Sequence, residues 1–163
     1  MTLTTPRPLH HIGIGVSDID AAIKWYEEVL GYRVFTGPVL LSLENDNRGQ
    51  LRNVLGPGFR KLKIAHLSTG GGCGLELFQS IDPPHERRTE NAEYWKSGTF
   101  HFCVTDPDIE GLVAKIKTSG GKQLSEIWDD RPPSNFRMVY CQDPFGTLIE
   151  VHTHSYEIVQ GWR

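Results

Sequence analysis

The sequence lacks the features that mark several large classes of protein. No apolar run approaches the roughly 18 residues needed to cross a bilayer, and no signal-peptide pattern opens the chain. The net charge is −3 with both signs interspersed, which indicates no basic surface for nucleic acid or membrane lipid. Cys73, Cys103 and Cys141 include no Cys-x-x-Cys pair, which is typical of free thiols in a reducing compartment. These absences predict a cytoplasmic protein that binds neither nucleic acid nor membranes.

An internal repeat organises the 163 residues. A shift of 90 residues aligns the segment beginning at His11 with the segment beginning at His101. The same shift pairs an aspartate and a glycine in the two copies: Asp18 with Asp108, and Gly31 with Gly121. Each copy also has apolar residues at the spacing of an amphipathic helix: Ile19, Ala22, Ile23 and Tyr26, then Ile109, Leu112, Val113 and Ile116. We therefore expect one helix in each copy, begun by the aspartate and ended near the glycine.

Strand-like segments surround each predicted helix. After the helices they are Tyr32–Phe35, Val39–Leu43, Lys61–Leu67 and Gly74–Gln79 in the first copy, and Gln123–Trp128, Phe136–Cys141 and Thr147–Thr153 in the second. The pattern predicts an α+β fold of two tandem βαβββ modules. We place the modules at 8–80 and 98–155, the connector at 81–97, and terminal tails at 1–7 and 156–163.

Strand alternation predicts where the polar side chains point, because residues i and i+2 share a face. In the first strand Ile12 and Ile14 face the helix, so His11 lies on the opposite face, where Gly13 and Gly15 leave space beside it. The same reasoning places three further residues on the non-helix faces: His101, Glu76 and Glu150. Each module thus contributes one histidine and one glutamate.

Histidine and carboxylate together are ligands for zinc, iron, nickel, cobalt or manganese. A glutamate between apolar neighbours in a strand is costly unless it is paired or bound. The residues leave two interpretations open. Either Glu76 and Glu150 join His11 and His101 in one divalent-metal site, or each glutamate is solvated or paired with Lys or Arg and each histidine is structural.

Several other residues compete for a role. His10 is expected to point to the core, His66 to be structural and His85 to be exposed in the connector. His152 shares a face with Glu150, which favours a contact either with a metal ligand or with substrate. Phe78 and Trp128 are further candidates for substrate binding, as aromatic walls.

Motifs across residues 8–155 resemble those of the vicinal oxygen chelate superfamily. They are His11-Ile-Gly-Ile-Gly-Val-Ser-Asp-Ile-Asp with Trp25-Tyr26 and Leu30-Gly31, Leu75-Glu76-Leu77, His101 followed by Asp108-Ile109-Glu110, and Asp143-Pro144-Phe145-Gly146 leading to Ile149-Glu150. This superfamily includes glyoxalase I, methylmalonyl-CoA epimerase, extradiol dioxygenases, fosfomycin-resistance enzymes and bleomycin-resistance proteins. The resemblance implies paired modules that form a cupped mixed sheet around a metal, and a homodimer.

The resemblance also implies a choice among activities. Glyoxalase I-like lyases supply His, Glu, His, Glu, as here, whereas epimerases tend to carry Gln at the position of Glu76. Dioxygenases and fosfomycin enzymes use two histidines and one carboxylate, and bleomycin-binding members lack the ligands. Glutathione-using lyases usually carry Arg at the position of Gly15 and often Asn at that of Ser80, so glutathione is not indicated.

We therefore predict a metal-dependent lyase or isomerase that acts through an enediolate on a small substrate with vicinal oxygens. Glu150 is the first choice for the group that moves the proton and Glu76 the second. The alternatives are an Fe(II) extradiol-type dioxygenase or antibiotic-modifying transferase, and a non-catalytic small-molecule binding protein of the bleomycin-resistance type.

Overall fold

The computed structural model describes residues 5–47, 49–88, 92–130 and 132–161. The chain divides into two compact units, unit 1 over Met1–Glu86 and unit 2 over Arg87–Arg163. Within the described ranges no helix is long and apolar enough to cross a membrane.

Unit 1 is a four-stranded sheet with one helix packed on it. Its elements are β1 (His11–Gly15), α1 (Ile19–Leu30), β2 (Arg33–Ser42), a 3-10 turn (Leu43–Asn45), α2 (Gln50–Leu55), β3 (Lys61–Ser68) and β4 (Gly74–Asp82). The strand order is β1-β4-β3-β2. β1 runs parallel to β4, and the other pairs are antiparallel. The last strand in sequence therefore lies beside the first, which brings residues far apart in the chain next to each other.

Helix α1 begins and ends where its sequence requires. The Asp18 carboxylate accepts hydrogen bonds from the backbone N–H groups of Asp20 and Ala21, which satisfies two donors that a helix start leaves unpaired. Gly31 adopts the left-handed conformation, φ 69°, that lets the chain leave the helix. The apolar stripe faces the sheet and is buried: Ile19, Ala22, Trp25, Tyr26 and Val29. Complete burial of each large apolar side chain stabilises the fold by about 1.5 to 3 kcal/mol.

Unit 2 repeats this topology. Its elements are β5 (Phe102–Thr105), α3 (Ile109–Thr118), β6 (Lys122–Gln123), β7 (Trp128–Asp129), β8 (Arg137–Gln142), β9 (Leu148–His152) and α4 (Tyr156–Gln160). The strand order is β5-β9-β8-β6, and β7 also pairs with β8. β5 is parallel to β9, just as β1 is parallel to β4. The predicted α+β fold of two βαβββ modules is confirmed.

Three of the predicted strands differ from the observed ones. The segments Tyr32–Phe35 and Val39–Leu43 belong to one strand, β2, which continues through register shifts between Val34 and Val39. The predicted strand Gln123–Trp128 is instead two short pieces, β6 and β7. Its middle leaves the ladder because the backbone N–H groups of Leu124 and Ser125 both donate to the carbonyl of Tyr140.

The end of α3 also differs from the prediction. The helix stops at Thr118, Ser119 follows it, and the glycine with positive φ is Gly120 rather than Gly121. Gly121 serves another purpose, which is close packing. A Cβ atom there would lie 2.7 Å from both the Gln142 carbonyl oxygen and a methyl carbon of Ile116. The glycine is therefore required because the helix end and β8 pass so near each other.

The core of each unit lies between its sheet and its helix. In unit 1 the buried strand residues Ala65, Leu67, Leu75 and Leu77 alternate with polar or half-buried ones. The buried residues of β8 and β9 that line the corresponding layer of unit 2 are Val139, Cys141, Ile149 and Val151. The predicted alternation holds, so both glutamates lie on the non-helix face of a sheet.

Candidate functional site

In unit 1 the Glu76 carboxylate lies between two imidazoles. Glu76 is in β4, and β1 pairs with β4 so that His11 comes beside it. The distance from His11 Nε2 to Glu76 Oε2 is 3.4 Å. On the other side His66 in β3 is the antiparallel partner of Glu76, and its Nδ1 lies 3.2 Å from Glu76 Oε1. We call His11, His66 and Glu76 the unit 1 cluster.

The surroundings of His11 correct three expectations. His10 is exposed rather than turned to the core, and its Nδ1 lies 2.8 Å from Nδ1 of His11. This contact uses one ring nitrogen of His11 and leaves Nε2 for Glu76. The face beside His11 is not open at the glycines, since the Phe78 ring would be 3.1 Å from a Cβ at Gly13. His85 is half-buried, and its ring lies 3.8 Å from a Cβ position at Gly15.

In unit 2 the Glu150 carboxylate also lies between two imidazoles. His101 directly precedes β5, the parallel neighbour of β9, and its Nε2 is 3.1 Å from Glu150 Oε2. His152, two residues further along β9 on the same face, places its Nε2 3.4 Å from Glu150 Oε1. A thiol completes the arrangement, because Cys103 pairs in register with Glu150. One donor atom each of Cys103, Glu150 and His152 lies within 4.8 Å of the others. These four residues are the unit 2 cluster.

Two further acidic groups face Glu150 and respond to its charge. Partial burial and the Glu150 carboxylate raise the pKa of the Cys103 thiol to about 12. Tyr140, the antiparallel partner of Glu150 in β8, forms a hydrogen bond with it. Burial and Glu150 together raise the pKa of the Tyr140 hydroxyl to about 12. The phenol therefore stays protonated near neutral pH and donates to the carboxylate.

The two clusters fit a divalent cation by the chemistry of their donors. The glutamate side chains are only 22% exposed for Glu76 and 14% for Glu150. Among the described residues every ion-pair partner of these two carboxylates is a histidine, with no Lys or Arg. Imidazole nitrogens that point at a carboxylate provide the mixed N and O donors that zinc and its neighbours prefer. A partly buried carboxylate without a fixed positive side chain is stabilised by such a cation.

The structure brings together most of the residues that the sequence singled out. His11 meets Glu76 in unit 1, and His101 meets Glu150 and His152 in unit 2. Phe78 shares the face of Glu76, against Gly13. Trp128 is 57% exposed and pairs with Met138, which in turn pairs with His152, so these three side chains form a row on one face.

Three residues in or beside the clusters were not assigned a functional role from the sequence: His66, Cys103 and Tyr140. His66 was expected to be structural. The feature that indicates its position beside Glu76 is the hairpin between β3 and β4. Pairing of Ser68 with Gly74 across the five intervening residues places His66 opposite Glu76. In the hairpin of β8 and β9, Gln142 pairs with Leu148, and two residues further from the turn Tyr140 therefore lies opposite Glu150.

Comparison with known proteins finds similarity in sequence and in fold. The model of the Glyoxalase/Bleomycin resistance protein/Dioxygenase superfamily matches residues 8–151. A 2-epi-5-epi-valiolone epimerase from Actinomyces sp. is 25% identical over 148 residues, which cover 88% of this chain and 77% of the epimerase.

Solved structures show the same fold. A glyoxalase family protein from Bacillus cereus superposes with a TM-score of 0.70 at 22% identity, over 93% of this chain and 97% of the other. Glyoxalase I from Zea mays superposes with a TM-score of 0.59 at 21% identity, over 90% of this chain and 44% of the maize protein. This chain therefore spans less than half of the maize enzyme.

Proposed function

The chain belongs to the Glyoxalase/Bleomycin resistance protein/Dioxygenase superfamily, and we propose that within it the protein is a metal-dependent isomerase or lyase. Its substrate is a small molecule with two vicinal oxygens. The observation that carries the proposal is the partly buried glutamate of each unit, held on both carboxylate oxygens by imidazoles. The similarity to an epimerase supports the isomerase side.

The proposed metal ligands are the four residues expected from the sequence: His11, Glu76, His101 and Glu150. When bound, a divalent cation supplies Lewis-acid polarisation of a substrate oxygen, which makes the adjacent C–H bond more acidic. Zinc, nickel, cobalt, manganese and iron all suit these donors. The rest of the chemistry falls to the side chains of the chain itself.

Glu150 is the proposed base that takes the proton from the carbon next to the carbonyl. Its carboxylate is 14% exposed, so little water competes for it. The hydroxyl of Tyr140 donates to this carboxylate and orients it. Glu76 is the second candidate for the same step, because it has the same two-imidazole environment.

Three side chains are proposed to contact the substrate. His152 lies beside Glu150 and orients its carboxylate. A substrate oxygen held next to that carboxylate is therefore also within hydrogen-bonding reach of the His152 ring. Phe78 and Trp128 supply flat apolar surface, the first against Gly13 and the second on the exposed edge of unit 2. A homodimer also remains a prediction, which light scattering of the purified chain tests.

The test is proton exchange rather than turnover of one chosen compound. The metal-loaded protein is incubated with α-hydroxy ketones, including polyhydroxylated cyclic ones, in D₂O, and deuterium at the carbon next to the carbonyl is followed by NMR. We expect exchange that is lost when a chelator removes the metal and restored by its return. Glu150→Gln is expected to keep its circular dichroism spectrum and lose exchange. Full exchange in that variant would exclude Glu150 as the base.

One observation favours a second candidate, an Fe(II) oxygenase. His101, His152 and Glu150 are two histidines and one carboxylate in one unit, which is the ligand type of the facial-triad oxygenases. Oxygen consumption with a catechol by the iron-loaded protein, together with no deuterium exchange, would select this function over the isomerase.

A further inference from the structure

The unit 2 cluster carries a third kind of metal donor, a thiol, that the unit 1 cluster lacks. Cys103 in β5 is the register partner of Glu150 in β9, and its thiol lies within 4.8 Å of donor atoms of both Glu150 and His152. In unit 1 the register partner of Glu76 is Gly13, which has no side chain to offer. The difference is chemical, because sulfur binds soft ions far better than a carboxylate or imidazole set alone does.

The observed separations suit convergence on a single ion. Bonds of about 2.0 to 2.3 Å in a tetrahedral arrangement place sulfur, nitrogen and oxygen donors about 3.3 to 3.8 Å apart. Donors within 4.8 Å reach this spacing by small side-chain rotations, since hydrogen-bonded β5 and β9 already hold the backbones together. Cys103 is exposed, so its side chain can turn. A thiolate beside the Glu150 carboxylate would be repelled by it unless a cation lies next to both.

We propose that Cys103, Glu150 and His152 form a thiolate-containing site for a soft divalent ion such as Zn²⁺ or Co²⁺. The proposal shares Glu150 and His152 with the proposed function and rests on it. It deepens that function because it adds a ligand that sets metal preference, and it makes His152 a metal ligand in place of a substrate contact. The site prefers ions that accept sulfur over Mg²⁺ and Mn²⁺. The thiol loses its proton to solvent when the ion binds.

The experiment is a Co²⁺ titration of the full, metal-free chain, monitored by absorption spectroscopy. Nitrogen and a phosphine reductant keep the thiols reduced. A cobalt–thiolate bond gives a near-ultraviolet charge-transfer band, which nitrogen and oxygen ligands do not give. We compare the wild type with Cys103→Ser, and with Cys103→Asp, which retains a charged ligand but no sulfur. Cys73→Ser is the matched control, because Cys73 is in unit 1 and outside both clusters.

We expect the band in the wild type and in Cys73→Ser, and its loss in both Cys103 variants. Competition with a chromophoric chelator should show Zn²⁺ binding about tenfold or more weaker in Cys103→Ser. Two results together would overturn this inference and leave the proposed function intact. They are visible cobalt bands without the charge-transfer band, and equal Zn²⁺ affinity in the wild type and Cys103→Ser. A charge-transfer band together with deuterium exchange that does not depend on metal would support the site and refute the proposed function. Absence of all Co²⁺ binding would refute both.

Discussion

The two units share a topology but surround their glutamates differently. In both, the parallel pairing of the first and last strands brings one histidine to one carboxylate oxygen, at 3.4 Å in unit 1 and 3.1 Å in unit 2. The second imidazole arrives by different routes. In unit 1 it comes from His66 on the neighbouring antiparallel strand, and in unit 2 from His152 on the strand of the glutamate itself.

The residues around each pair differ further. The place of His66 opposite Glu76 is taken in unit 2 by Tyr140, and that of Gly13 by Cys103. Unit 2 therefore has two additional protons next to its carboxylate, whereas unit 1 has aromatic rings over its glycines. The shared histidine–glutamate pair follows from the register that both sheets have in common. A thiol and a phenol stand beside the glutamate in the unit 2 cluster and not beside Glu76, which is why Glu150 is our first choice for the proposed base.

Removing the charge of each glutamate in turn is the strongest test of whether the two units contribute unequally to proton exchange. Glu150→Gln should lower the rate of deuterium exchange by about 10²- to 10⁴-fold, the contribution of a general base. Glu76→Gln should lower it by about tenfold or less, because an amide oxygen can still bind a metal. Zn²⁺ affinity, measured on both variants, separates loss of metal from loss of the base. Equal losses of exchange, or a larger loss in Glu76→Gln with metal still bound, would move the base to unit 1.

A second comparison concerns the glycines at the two helix ends. Gly121→Ala should destabilise the protein by about 3 kcal/mol, because backbone oxygens of Gln142 and Ile116 cannot move away from the new Cβ. Gly31→Ala has no atom within 4 Å of its new Cβ, and costs only the strain of φ 69°, about 1 to 2 kcal/mol. Urea unfolding of both variants gives the two free energies. Equal stability of Gly121→Ala and Gly31→Ala would contradict this prediction. It would show that the residues around position 121 move to accommodate the added methyl group.

The local features of the fold were predictable from the sequence. The helices follow from apolar periodicity with Asp18 and Asp108 as caps, and the faces of His11 and Glu76 follow from strand alternation. These signals lie within about ten residues of each other, so the chain contains them without reference to its fold.

The partners across strands were not predictable in the same way. Alternation gives the face of His66 but not its neighbour, which depends on the register of β3 against β4. The contact of Cys103 with Glu150 depends on a parallel pairing of residues that are 47 positions apart in the sequence (150 − 103), and no local signal predicts it. At the break between β6 and β7, the Ser125 hydroxyl oxygen accepts a hydrogen bond from the Tyr140 N–H, in addition to the two N–H groups that donate to the Tyr140 carbonyl, and these contacts replace regular strand pairing.

The smallest expected difference between the units lies at the helix starts. The Asp18 carboxylate accepts from two backbone N–H groups, those of Asp20 at 3.1 Å and Ala21 at 3.0 Å. Asp108 accepts from one, that of Gly111 at 3.1 Å. Replacement of a capping aspartate by alanine typically costs about 0.5 to 2 kcal/mol. We therefore expect Asp18→Ala to lower the free energy of unfolding by about 1 to 2 kcal/mol and Asp108→Ala by about half as much.

Urea unfolding at pH 7 followed by circular dichroism measures both values, and Asp18→Asn and Asp108→Asn serve as controls. An asparagine oxygen still accepts the capping hydrogen bonds, so these variants should lie near the wild type. The ranking rests on the count of accepted hydrogen bonds, because both helices bury a comparable apolar stripe. A larger loss of stability in Asp108→Ala would contradict this ranking. It would mean that α3, which has 10 residues against 12 in α1, depends on its cap more than the number of capping hydrogen bonds indicates.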